Sequence, residues 1–238
     1  MTLAWGARVS PEFRARVVRI AERIGCDPSW LMACMAFETG RTFSPSVKNP
    51  NSSATGLIQF MAATAVNLNT TTAALAKMSA VEQLDYVGRY FQPYAGRIKS
   101  LSDCYMAILW PSAVGKPDSA VIFASGSSAY LVNKGLDLNK DGAVTKGECA
   151  AKVTAMIEEG LRPENASPSS PNLPSSPSLP TRKSMDPLTA ISIFGPLISN
   201  LIPQVAKVFG GGDRAQANVA LGTTILDTVV KGTRKEYE

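Results

Sequence analysis

The segment Pro28-Ser29-Trp30-Leu31-Met32-Ala33-Cys34-Met35-Ala36-Phe37-Glu38 admits few environments. It has the length of a helix and is almost wholly apolar until its last residue, so as a helix it must be buried. Asp27 reads as its N-cap and Pro28 as the first helical residue, where a missing N–H costs nothing. Gly40 reads as the stop. Any fold of this chain must therefore wrap a core around the segment and place one carboxyl, that of Glu38, at its C-terminal end. Desolvation and the negative end of the helix dipole both disfavour the ionised form there. Such a carboxyl keeps its proton near neutral pH, as a general acid must. The alternative is an exposed acid in a solvated last turn, the usual state of a Glu beside a helix-ending Gly.

The neighbouring segments are helical too. Ser10-Pro11 opens a helix whose Phe13, Val17, Ile20 and Ile24 share one face. Another is predicted from near Gly56 or Leu57 to about Asn67. Ser79-Ala80-Val81-Glu82 is a capping box opening a helix through Tyr90, and Ser100 to Asp103 repeats the pattern before a helix containing Tyr105. No alternating strand pattern stands out. The sequence predicts an all-α region of about six to eight helices.

Composition changes sharply at residues 163–184, a Pro/Ser-rich run that reads as an extended, semi-rigid linker. It divides the chain into a helical region, 1–162, and a small C-terminal helical module, 185–238. In that module the apolar stretch Leu188 to Phe209 is interrupted by Pro196 and Pro203 and carries Asn200, Gln204 and Lys207. Gly210-Gly211-Gly212 then leads to a second helical pattern with Ala220, Ile225, Val229 and Val230. Three readings stay open: a helical hairpin that buries its apolar face in a homo-oligomer, a segment lying on a membrane, or a span.

A second motif carries metal chemistry. Asp137-Leu138-Asn139-Lys140-Asp141-Gly142-Ala143-Val144-Thr145-Lys146-Gly147-Glu148 fits the EF-hand loop at every diagnostic position. Asp137, Asn139 and Asp141 offer side-chain oxygens, and Ala143 its backbone carbonyl. Thr145 stands where a ligand often acts through water, and Glu148 can chelate with both oxygens. Gly142 permits the sharp turn and Val144 packs inward. Hard oxygen donors at this spacing select Ca2+ over a transition metal. The entering helix is short, Ala129 to Lys134, and the exiting one runs from Lys146 to Leu161. This suits a structural clamp better than a sensor.

Several function classes are excluded or weakened. The chain has no His, which removes His-based triads and His-ligated zinc. Its four cysteines, Cys26, Cys34, Cys104 and Cys149, form no Cys-x-x-Cys pair, and Cys34 reads as a small core residue. The net charge of +5 is modest and no dense Lys/Arg cluster occurs, so nucleic-acid binding is not supported. Such a surface suits an anionic wall or membrane. The N-terminal residues 1–8 lack the apolar core of a secretory signal.

Glu38-Thr39-Gly40, followed within twenty residues by Gly56-Leu57-Ile58-Gln59, resembles the paired motifs of the soluble lytic transglycosylase and goose-type lysozyme superfamily. The resemblance covers roughly residues 15 to 125. It implies a lysozyme-like helical domain with Glu38 as the catalytic acid. It also implies that Gly56, Gln59 and Phe60 line a sugar cleft. The family usually has an Ala-Tyr-Asn segment for the substrate N-acetyl group. The nearest stretch here, Asp103 to Pro111, has Tyr105 without a following Asn. Tyr105 is a candidate sugar contact or a core residue, and Tyr130 is a further candidate contact. Some members of the family also carry an EF-hand-like calcium site.

The implied reaction is cleavage of the β-1,4 bond between N-acetylmuramic acid and N-acetylglucosamine in peptidoglycan. Hydrolysing lysozymes commonly add a second carboxylate. Lytic transglycosylases use one Glu as acid and then base, and leave a 1,6-anhydro end. No Asp or Glu occurs from Thr39 through Val81, which favours the transglycosylase, although Asp85 or Asp103 can still reach the cleft through folding. A wall enzyme without its own signal fits a bacteriophage, as a released endolysin or a virion-borne lysin. Its site of action is then the virion or the host periplasm and wall. The C-terminal module would contact phage structural proteins or the inner membrane. The alternatives are a hydrolytic muramidase, a calcium-dependent wall-binding module, or a structural virion protein with a wall-binding domain.

Overall fold

In a computed structural model, residues 2–50 and 52–168 are described. They form a mostly helical body. β1 (Thr2–Leu3) precedes α1 (Pro11–Ile24), which Ser10 caps by accepting from Phe13 N. α2 (Pro28–Glu38) follows, with the Asp27 carboxylate accepting from Ser29 N. Then come α3 (Ala62–Asn67), α4 (Thr72–Leu75), α5 (Ala80–Phe91) and α6 (Leu101–Leu109). The last part holds β2 (Val121–Ala124), α7 (Ser128–Asn133), β3 (Ala143–Thr145), α8 (Lys146–Gly160) and β4 (Ser167–Pro168).

α2 is the central element. It packs against α1, α6 and α8, and Leu31 to Ala36 are buried without a break. A helix apolar all round is stable only when neighbours cover every side, and these three helices do so. All four cysteines are free thiols, and Cys34 Sγ on α2 lies 3.8 Å from Cys104 Sγ on α6. Among the described residues no helix is long and apolar enough to cross a membrane.

The structure departs from the sequence reading in three places. The helix predicted from Gly56 begins only at Ala62, because Gly56 and Gln59 take positive φ of 81° and 53°. Residues 55–60 instead close a tight turn, with Thr55 N donating to Phe60 O at 3.0 Å and Phe60 N to Thr55 O at 2.8 Å. The region is also not purely helical. β2 pairs antiparallel with β3, and β1 with β4. Finally, the body continues past residue 162. Asn165 is buried, its amide donates to Glu159 O at 2.9 Å, and its carbonyl accepts from Ala7 N at 2.8 Å. Thr2 then pairs with Pro168 and Leu3 with Ser167. Trp5 seals this clasp by donating its indole N–H to Met156 O at 2.8 Å. It passes so near Gly160 that a Cβ there would lie 2.4 Å from the indole ring. The rest of the expected linker, 169–184, and the module 185–238 lie outside the described residues.

Candidate active site

Glu38 is the last residue of α2 and is half-buried. The residue keeps some contact with solvent, yet so much protein surrounds its carboxyl that desolvation pushes its pKa up to about 8. Burial, by desolvation, is the cause of the shift. A partly exposed carboxyl in desolvating surroundings is the environment expected of a group that donates a proton near neutrality.

The backbone just beyond it is held tightly. Thr39 is buried; its hydroxyl donates to Met35 O at 2.7 Å and accepts from Phe43 N at 3.0 Å. Gly40, Arg41 and Phe43 all take positive φ, so the chain reverses directly after the carboxyl. The Arg41 guanidinium makes a bidentate contact with Glu159 near the end of α8, at 2.7 Å on both oxygens.

Aromatic rings gather near the end of α2. Tyr105 on α6 packs edge-on against Phe37, with centroids 5.7 Å apart. Phe60 meets Tyr90 of α5 edge-on at 6.2 Å. Burial, and then the charge of Glu38 among other groups, raises the pKa of both Tyr90 and Tyr105, which puts the two phenols within electrostatic reach of the carboxyl. Tyr90 also donates its hydroxyl to Ala107 O at 2.9 Å, tying α5 to α6 behind the site. The sequence reading placed Tyr90 in a helix but gave it no role; only tertiary packing brings it beside Glu38.

The other expected sugar contacts are less uniform. Gly56, Gln59 and Phe60 form one turn, and all three are buried. The Gln59 amide nitrogen is spent inside it, donating to Gly56 O at 3.0 Å and Val47 O at 3.3 Å. Tyr130 on α7 turns to the loop 137–148 and donates its hydroxyl to Asp137 at 2.6 Å. The two acids that could have joined Glu38 are held elsewhere. Asp85 is paired with Arg16. Asp103 is paired with buried Lys146, and its carboxylate also accepts from Gly115 N at 2.7 Å and Lys99 N at 3.0 Å.

The loop 137–148 has the path its sequence dictates. Gly142 takes φ of 86°, and Val144 is fully buried in β3 against Phe123 of β2. The Asp137 carboxylate accepts from Asp141 N at 3.2 Å and Gly142 N at 3.0 Å, and Asp141 accepts from Ala143 N at 2.9 Å. Glu148 folds back across the loop, accepting from Leu138 N at 3.0 Å and from Thr145 N and hydroxyl at 2.8 Å. The Tyr130 hydroxyl, with the loop N–H groups, holds Asp137 below the ordinary carboxylate range. Burial pulls Glu148 upward, but the Thr145 and Leu138 donors hold it below its ordinary value. As placed, no three carboxylate, thiol or imidazole groups among the described residues converge into a metal cage. The donor set still suits a hard cation: three carboxylates, the Asn139 amide, the Ala143 carbonyl and the Thr145 hydroxyl, folded into one loop.

Comparison with family models, with curated proteins and with solved structures finds no match for this chain.

Proposed function

We propose that this protein cleaves the glycan strands of peptidoglycan as a lytic transglycosylase, with Glu38 as the acid and then the base. The observation that carries the reading is the state of Glu38: partly exposed, desolvated, and within electrostatic reach of Tyr90 and Tyr105. The protonated carboxyl donates to the glycosidic oxygen as the bond from C1 breaks. The N-acetyl group of the muramic residue assists at C1. The resulting Glu38 carboxylate takes the proton from the sugar's own 6-hydroxyl, whose oxygen closes on C1 to leave a 1,6-anhydro end. No water enters and no second carboxylate is required. The engagement of Asp85 with Arg16 and of Asp103 with Lys146 supports this over hydrolysis. Glu38 at the end of a buried helix, with the Gly56–Phe60 turn reaching the same aromatic cluster, is compatible with a lysozyme-like arrangement of the helical body.

In the same reading, Asp137, Asn139, Asp141, Ala143, Thr145 and Glu148 hold one Ca2+, which clamps α8 and the β2–β3 pair. The chain acts on the wall during phage infection, and residues 185–238 serve delivery, by docking to the particle or resting on a membrane. The deciding experiment is mass analysis of muropeptides released from purified sacculi. Anhydro ends are lighter than reducing ends by one water. Reducing ends would convert the reading to a muramidase, and intact sacculi would reject the enzyme.

A further inference from the structure

Gln83 is fully buried on α5, yet its amide serves backbone that lies outside that helix. Oε1 accepts from Leu57 N at 2.6 Å, and Nε2 donates to Pro45 O at 3.1 Å and Leu75 O at 2.9 Å. The apolar face of α5 does not need this amide, since Leu or Met would fill it as well. The loops need it. Leu57 N is buried, and without Gln83 it would lack this acceptor.

The turn is shaped to receive it. Gly56 takes φ of 81°, and a Cβ built there would lie 2.3 Å from Gln83 Oε1. Only glycine allows both that conformation and that approach. On the other side of the turn, Gly56 N donates to Val47 O at 2.8 Å. The segment is thus gripped between Val47 and Gln83. Two turns further along α5, on the same face, stands Tyr90, whose ring meets Phe60 at the end of this turn and whose phenol feels the charge of Glu38. One helix face therefore both holds the turn and supplies the ring that Phe60 meets.

We infer that Gln83 is a positioning residue for the cleft: through Leu57 and Gly56 it sets where the Gly56–Phe60 turn stands beside Glu38. The inference rests on the glycan-cleaving reading. In Gln83→Met the shape of the side chain is kept and all three hydrogen bonds are lost. The turn then shifts, and displacements on the order of 1 Å cost up to ~10²-fold in rate.

The test uses the full chain below its melting temperature, with kcat and KM measured on soluble glycan strands for wild type, Gln83→Met and Gln83→Glu. The expected result is a kcat/KM at least tenfold lower for Gln83→Met, with the helical circular dichroism signal retained. Gln83→Glu adds a readout that a purely structural role would not move. Its carboxyl can replace one donor only when protonated, so its kcat/KM relative to wild type at the same pH should rise as pH falls. If Gln83→Met does not fold, this pH dependence decides alone. Wild-type kcat/KM in a folded Gln83→Met, or a flat ratio for Gln83→Glu, overturns the inference. If the wild-type protein leaves glycan intact, the proposed function fails, and amide exchange decides the positioning claim. Faster exchange in Gln83→Met confined to residues 54–60 supports it, and uniformly faster exchange overturns it.

Discussion

Two groups of carboxylates in this protein meet opposite surroundings. Glu38 sits at the end of an apolar helix, and desolvation raises its pKa to about 8. Asp137 and Glu148 sit in a polar loop, where N–H and O–H donors hold both below their ordinary range. The same chemical group is thus prepared for opposite tasks. A carboxyl that keeps its proton can give it away, and one that has lost it can hold a cation. The regions also differ in what made them. The Glu38 environment is built by four elements far apart in sequence, whereas the loop is held mostly by its own carboxylates and backbone N–H groups.

The sharpest way to break this contrast is to remove the proton. Glu38→Gln keeps size and shape but has none to donate. General acid catalysis contributes ~10²–10⁴-fold, so release of muropeptides should fall by at least that order while the fold persists. A variant that retains more than a tenth of wild-type turnover would defeat the assignment.

The next largest effect joins the two regions. Lys146 opens α8 within the loop motif, and its ammonium is buried against Asp103, two residues before Tyr105 on α6. It also donates to Lys116 O at 2.7 Å. Burial pushes the Asp103 carboxyl upward, but the Lys146 ammonium and two backbone N–H groups hold it below its ordinary range. Breaking such a pair from one side leaves an uncompensated charge and costs about 3–5 kcal/mol. Lys146→Met should therefore lower the denaturant midpoint strongly, and adding Asp103→Leu should recover part of the loss. Equal midpoints for wild type and Lys146→Met would show that the two regions are not tied through this pair.

Calcium, if the proposed loop site holds it, should give a smaller, concentration-dependent effect. An ion that binds only the folded loop stabilises it by about 2.7 kcal/mol at a hundredfold excess over Kd. Chelation should lower the melting temperature of the wild-type protein, and Glu148→Ala should erase the difference. Identical melting of wild type with and without chelator would leave the loop as a turn held by its own hydrogen bonds.

The two regions were also unequally legible. The path of the loop could be read from its own residues, because its contacts span few positions: Gly142 makes the turn and Val144 packs inward. The helix ends were equally plain: Ser10, Asp27, Ser79 and Ser100 all cap as their side chains require. Glu38 was legible because an apolar helix can end in only a few ways. Its surroundings were not. Gly56 and Gln59 looked like the start of a helix, since nothing local reveals that both adopt positive φ once Gln83 and Val47 grip the turn. Tyr90 looked like an ordinary member of an amphipathic helix. The β1–β4 clasp joins residues at opposite ends of the body, and no local pattern of such short strands announces it.

The smallest effect tests the desolvation of Glu38 without any substrate. Its folded pKa, about 8, lies above its ordinary value of 4.5, so the folded state binds this proton more tightly than the unfolded one does. By linkage, that contribution to stability is fully present below the unfolded value and is lost as pH rises through the folded value. Glu38→Gln carries no such proton. Wild type and variant should melt together near pH 4, and the variant should gain as pH rises toward 9. Each pKa unit corresponds to ~1.4 kcal/mol, of which a half-exposed carboxylate screened by water realises only a part. A melting difference that stays constant from pH 4 to 9 would mean that Glu38 ionises as freely in the fold as in the unfolded chain. The contrast with Asp137 and Glu148 would then collapse from the Glu38 side.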